Sequence, residues 1–173
     1  MNAILEDYKE LIRTNGELDY KCDAGQSFEE IYELSGYKDE LINLCTKYEI
    51  DFNDEEIDWD WGNYIQNKTE ELITKLESII IRSNEEIFDA QCKTNNIDKK
   101  EMSYSIIQAI DKSNLDDKDM YRGEYTKEDE YGQLYDRDCL YIDSDILLVI
   151  ELTDKQKQFI QLALDCDIRE IYL

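Results

Sequence analysis

Histidine and proline are both absent from this chain, and basic residues are scarce beside acidic ones. Without histidine, a serine or cysteine nucleophile has no imidazole base, and zinc loses its commonest nitrogen ligand. The five cysteines, Cys22, Cys45, Cys92, Cys139 and Cys166, are widely spaced, form no CxxC pair and are odd in number. That pattern fits neither a zinc site nor a disulfide framework. Cys45 and Cys139 have apolar neighbours and are expected in the core as small apolar residues. The six glycines are isolated from one another, so neither GxGxxG nor GxxxxGK[ST] occurs and no phosphate-cradling loop is encoded. No apolar run approaches the ~18 residues a membrane span needs. The segment MNAILEDYKELI carries acids where a signal peptide carries Lys or Arg, so a cytoplasmic protein is expected.

What the chain has in excess is acid. Asp and Glu number 43 against 19 Lys and Arg in 173 residues, a formal charge of −24. Acidic disordered chains lack apolar residues, but this one is 42% hydrophobic and 11% aromatic and is expected to fold. Lys outnumbers Arg, and Ile, Asn and Tyr are abundant. These residues have AT-rich codons and point to a low-GC bacterium or its phage rather than a halophile. A folded monomer of this mass exposes roughly 8,900 Å², or about one net charge per ~370 Å². Duplex DNA, as a rod of ~10 Å radius, carries about one per ~100 Å². Imitation of DNA therefore requires the acids to be gathered locally.

They are gathered in two stretches. Residues 49–60 hold Glu49, Asp51, Asp54, Glu55, Glu56, Asp58 and Asp60 with no basic residue among them. Residues 116–145 hold eleven acids against Lys118, Arg122, Lys127 and Arg137. Aromatic residues are interleaved: Trp59 and Trp61 in the first stretch, Tyr121, Tyr125, Tyr131, Tyr135 and Tyr141 in the second. Tyr and Trp are frequent interface anchors, and carboxylates beside aromatic rings suit Arg-rich partners. The candidate partner-binding residues are Asp51, Asp54, Glu55, Glu56, Asp58, Trp59, Asp60, Tyr121, Glu124, Tyr125, Glu128, Asp129 and Glu130.

Periodicity predicts helices first and a small sheet late. Ile4, Leu5, Tyr8, Leu11 and Ile12 share a helical face, with Asn15-Gly16 as the expected stop. Ser27 to Glu30 reads as a capping box opening a short helix that ends at Ser35-Gly36. Leu41, Ile42, Leu44, Cys45 and Tyr48 mark the next helix, and a long one runs from about Lys68 to Cys92. Asp98 is placed to cap a helix carrying Met102, Ile106 and Ile110. Residues 113–130 read as a long acidic loop or insertion. Leu140 to Leu152 reads as a buried strand, with a hairpin partner near Gln133–Tyr135. Thr153 or Asp154 caps a last helix, and Ile168 to Leu173 returns as a strand. Together these predict one α+β domain over residues 1–173: a mainly helical N-terminal two-thirds, then a small C-terminal β-sheet with one packed helix.

Three function classes follow. Metal-dependent phosphoryl chemistry needs only carboxylates. Asp58/Asp60, Asp136/Asp138 and Asp143/Asp145 are Asp-x-Asp pairs, and the last, beside the expected strand, is the best placed to share one Mg²⁺. An EF-hand beginning at Asp51 fails, because its twelfth position is Gly62. Direct nucleic-acid binding is disfavoured, since Lys99-Lys100 is the lone adjacent basic pair. The favoured expectation is a non-catalytic inhibitor, without cofactor or metal, that occupies the basic nucleic-acid-binding surface of another protein. In charge, size and lack of motifs the chain is similar to phage- or mobile-element-encoded anti-CRISPR and anti-restriction proteins that imitate DNA. The similarity is compositional and rests on no alignable segment. The alternatives are an immunity protein neutralising a basic cytosolic toxin such as a nuclease, and the Mg-dependent enzyme.

Overall fold

The computed structural model describes residues 2–33, 35–58, 62–129 and 131–173. The fold is mostly helical with a small antiparallel sheet near the C-terminus, as the periodicity predicts. Its elements are α1 (Asn2–Asp23), α2 (Phe28–Tyr32), α3 (Tyr37–Lys47), α4 (Asn63–Thr94), α5 (Lys99–Lys112), β1 (Arg122–Glu128), β2 (Leu134–Tyr141), α6 (Ile146–Val149), α7 (Asp154–Asp165) and β3 (Glu170–Tyr172). The chain divides into two compact units, Met1–Arg82 and Ser83–Leu173, with the boundary inside α4. On the inward face of α4 the polar pair Ser83-Asn84 stands at that boundary, between Leu72 and Leu76 of one core and Phe88 and Cys92 of the other.

The first unit buries Leu11 and Leu18 of α1, Ile31 and Tyr32 of α2, Tyr37, Leu41 and Cys45 of α3, and Ile65, Leu72 and Leu76 of α4. The Asn15-Gly16 stop is corrected: α1 runs on to Asp23. Leu18 lies two turns beyond Leu11 on the same buried stripe, and Asn15 Nδ2 donates to Asp19 Oδ2 (3.2 Å) across the glycine. A mid-helix glycine costs about 1 kcal/mol. Burying Leu18 contributes roughly 1.5–3 kcal/mol and wins. Polar ties join the helices. Tyr8 Oη donates to Glu77 Oε1 (2.8 Å), and the Tyr37 hydroxyl pairs with Thr69 Oγ1 (3.0 Å). Lys47 and Tyr48 both donate to the Asp7 carboxylate. Partial burial pushes the Asp7 carboxyl up, but those two hydrogen bonds and the Lys47 charge outweigh it and hold it below the usual carboxylate range.

The second unit packs α5, α7 and the end of α4 against the sheet, around Phe88, Ile106, Ile110, Leu140, Phe159, Ile160 and Ile171. Strand order is β1-β2-β3, all antiparallel. Asp98 and Thr153 cap α5 and α7 as predicted, and Thr153 with Gln156 completes a capping box. Gln156 Nε2 also donates to Ser105 Oγ (3.1 Å), tying α7 to α5. Cys45 and Cys139 are both buried, Cys45 in the core of the first unit. Burial pushes the Cys92 thiol up to about 11 and raises those of Cys45, Cys139 and Cys166. Among the described residues no helix is long and apolar enough to cross a membrane.

Two expectations about the C-terminal region are overturned. Residues 113–130 are not a loop throughout, since β1 occupies Arg122–Glu128. The apolar run after Tyr141 is not a strand either. Asp143 Oδ1 accepts the Asp145 N–H (2.8 Å), and this Asx turn starts the single helical turn of α6. Ile146 and Ile150 are buried four residues apart, whereas Leu148 is 83% exposed, which is helical rather than period-two burial.

Two glycines respond oppositely to a methyl group. At Gly16 a Cβ would meet nothing within 4 Å, so Gly16→Ala should stabilise by roughly 0.5–1 kcal/mol. At Gly62, φ is +63° and a Cβ would fall 2.4 Å from the Phe28 ring, so Gly62→Ala should destabilise by about 1–3 kcal/mol. Urea denaturation of the two variants checks both signs. Asp7→Asn should cost about 1 kcal/mol at pH 7. A carboxyl held below its unfolded-state pKa contributes stability that is full above that value and is lost as pH falls through the folded one. The gap between Asp7→Asn and the parent protein should therefore close below about pH 4 in urea melts across pH.

Candidate functional site

The two acidic stretches lie in different units. In the first, left-handed Glu49 (φ 56°) ends α3, and the chain is pinned by buried Ile50, by Phe52 edge-on to Tyr64 (5.3 Å) and by Ile57. The apolar residues point in, which leaves Asp51, Asp54, Glu55, Glu56 and Asp58 exposed. Asp54–Glu56 form a 3₁₀ turn capped by Asn53, whose Oδ1 accepts the Glu55 N–H (3.2 Å) and whose Nδ2 donates to Glu56 Oε1 (3.0 Å). Three residues per turn splay these carboxylates in different directions. The stretch has no base in sequence, but folding brings bases close: Lys38 Nζ lies 2.9 Å from Glu33 and 4.0 Å from Asp54, and Lys75 Nζ donates to the Glu49 carbonyl (3.4 Å). Trp59, Asp60 and Trp61 fall outside the described residues.

In the second stretch, strand pairing sorts the side chains. The register sets Arg122 opposite Leu140, Glu124 opposite Asp138, Thr126 opposite Asp136 and Glu128 opposite Leu134. These even-numbered residues share one face, because side chains alternate along a strand. The odd-numbered face carries Gly123, Tyr125 and Lys127 beside Cys139, Arg137 and Tyr135. Acid is therefore collected on one side of the hairpin, and aromatic rings with cations on the other. At the root, Leu140 is in the core and Arg122 spans Asp111 of α5 (2.5 Å) and Asp138 (3.4 Å). Beyond that rung, Glu124, Glu128 and Asp136 are exposed. Like charges opposite one another destabilise a ladder. Here Arg122 screens Asp138, and Thr126 Oγ1 donates to Asp136 Oδ1 (3.1 Å).

Not every expected contact residue faces solvent. Tyr121, expected as an anchor, is 3% exposed and belongs to the core of the second unit, which corrects that expectation. Tyr125 is half-buried, donates to the Leu173 carbonyl (2.8 Å) and packs edge-on against Tyr172 (4.9 Å), so it holds β3 to the hairpin. The Asp129 carboxylate turns into the hairpin loop, where Oδ1 accepts the N–H groups of Tyr131 (2.8 Å) and Gln133 (2.9 Å). Glu124 and Glu128 are exposed as expected; Glu130 is outside the described residues. Tyr131 and Leu134, the most exposed large apolar residues of the hairpin at 80% and 71%, were not singled out as contact residues. Gly132, left-handed in the five-residue connection between Glu128 and Leu134, is the turn signal that places them at the hairpin end.

Asp143 and Asp145 are not neighbours on a strand: they flank the Asx turn before α6. Among the described residues no group of three or more Cys, Asp or Glu side chains is arranged to hold a metal ion.

Burial separates core from surface tyrosines. Tyr121→Ala should cost about 3–5 kcal/mol, the range for losing a buried aromatic ring, while Tyr131→Ala should stay within ~0.5 kcal/mol of the parent in chemical denaturation. No protein-family model, curated protein or solved structure matches this chain.

Proposed function

We propose that this protein is a non-catalytic, cytoplasmic inhibitor that occupies the basic nucleic-acid-binding surface of a target protein, with the even-numbered face of the β1–β2 hairpin as its principal contact. The observation that carries this is the charge density of that face. From Glu124 to Glu128 the ribbon advances about 14 Å at ~3.4 Å per residue. Over that length it carries Glu124, Glu128, Asp136 and Asp138. This is about one carboxylate per 3–5 Å, or about one per 5–7 Å once Asp138, screened by Arg122, is left out, within about twofold of the one charge per ~3.4 Å of a single strand of duplex DNA. The protein's mean surface is several-fold too dilute, so the local array, and not the net charge, supports imitation. The acids of residues 51–58 add long-range attraction and steer the basic partner. They are splayed around a 3₁₀ turn with Lys38 beside them, which suits a secondary contact.

The test is competition for DNA. A panel of purified restriction endonucleases and RNA-guided nucleases is loaded with fluorescent duplex and titrated with this protein. Displacement from at least one enzyme is expected, weakening steeply between about 50 and 300 mM salt. Reversing Glu124, Glu128 and Asp136 to Lys should raise the inhibitory concentration at least tenfold, several times more than the same reversal of Glu6, Glu85 and Glu86. Reversal of Asp54, Glu55 and Glu56 should fall between the two. Equal losses in all three variants would mean that bulk charge alone acts, and no displacement from any enzyme would refute the proposal.

A further inference from the structure

The acidic row on β2 does not end in acid. Reading outward from the root, the even-numbered positions are buried Leu140, then Asp138 and Asp136, then Leu134, which is 71% exposed. Leu134 lies opposite Glu128 and next in the row to Asp136, so it belongs to the carboxylate face itself. Tyr131, three residues earlier in the loop, is 80% exposed. Isolated exposed apolar residues are ordinary. Here one lies in the hairpin loop and the other opens β2, both at the end of a charged ribbon, and the loop backbone that carries them is held by hydrogen bonds. The Asp129 N–H donates to the Gln133 carbonyl (2.9 Å), the Gly132 N–H donates to the Asp129 carbonyl (3.1 Å), and Asp129 Oδ1 accepts the two further N–H groups described above. Gly132 holds φ +77°, which a side chain would strain, and a Cβ there would lie 3.3 Å from Glu128 Oε1. Tyr131 and Leu134 are thus presented at low entropic cost, the condition under which aromatic and apolar side chains act as binding anchors.

We infer that Tyr131 and Leu134 form an apolar anchor that seats in a hydrophobic pocket at the end of the partner's basic groove. This rests on the proposed function, because the partner is the same protein. Charge complementarity chooses the occupant. Any surface that meets Glu128 and Asp136 must also meet Leu134, and it must be basic to do so. A second copy of this chain would bring two carboxylate rows face to face and be repelled. The partner pocket is therefore apolar and rimmed by Arg or Lys. The electrostatic row governs association, and the tip governs how slowly the complex separates.

Two fluorescent nonapeptides test this at about 20 mM salt, where attraction between exposed charges reaches far. One is all arginine; the other has its last two residues replaced by Trp and Leu. The all-arginine peptide should bind the parent protein. The Trp-Leu peptide should bind about tenfold tighter despite its smaller charge. The double variant Tyr131→Ala/Leu134→Ala should lose that gain while holding the all-arginine peptide within about twofold of the parent. If the all-arginine peptide binds without any gain from Trp and Leu, or if the double variant weakens both peptides alike, the anchor is refuted and the electrostatic proposal stands. If neither peptide binds, the electrostatic proposal fails and the anchor falls with it. Sedimentation at about 0.5 M salt, where repulsion is screened, should show a monomer. A dimer that the double variant dissolves would assign the tip to a second copy and overturn the inference.

Discussion

Electrostatic self-repulsion is the constraint on which the rest of this structure depends. With 24 uncompensated negative charges, the fold gains little from ion pairing, and several of the pairs present are exposed on both sides and individually weak. Apolar burial must therefore stabilise each unit, and each has a closed core of its own. The few ion pairs that join elements sit where chain segments have to be held in place. Asp7 receives Lys47 and Tyr48 across α1 and α3, and Arg122 ties the root of the hairpin to α5. Many of the other carboxylates are exposed, and where exposed ones stand close together they are functional candidates.

The hairpin turns that constraint into a directional surface. A sequence with all four acids of the two strands at even positions, and its tyrosines, Lys127 and Arg137 at odd ones, becomes two chemically different faces when β1 pairs with β2. The aromatic face is used internally: Tyr125 and Tyr172 pack together, and Gly123 is bare because a Cβ would run into the Tyr141 ring. The acidic face passes outward from Leu140 and Arg122 into solvent. On the proposed function, a basic groove would meet carboxylates whose backbone positions strand pairing already fixes, so little backbone entropy would remain to be lost on binding.

Much of the helical architecture was legible because its signals are local. The caps at Ser27, Asp98 and Thr153 and the stripes of α3, α4, α5 and α7 depend on residues three or four apart. Signals that depend on tertiary context are not legible locally. Gly16 looks like a stop until Leu18 is seen to be buried, and Ile146 to Ile150 look like a strand until the Asx turn at Asp143 is seen to nucleate a helix. Of the hairpin, β1 reads as a loop and only the start of β2 as a strand, because both faces are mostly polar beyond the root and no hydrophobic alternation announces β1. For the candidate site, acidity was legible and direction was not. Tyr121 and Tyr125 stand in the same composition as Tyr131, and only the register shows that the first two turn toward their own protein.

The central claim is that one face of one hairpin meets a basic partner. Two-dimensional NMR of the labelled protein, titrated with an all-arginine nonapeptide at low salt, addresses it most directly. The account predicts shifts concentrated at Glu124, Thr126, Glu128, Leu134, Asp136 and Asp138, with far smaller ones at Tyr125, Tyr135 and Arg137 on the opposite face. Shifts spread evenly over the acids of both units, or strongest on the aromatic face, would contradict it.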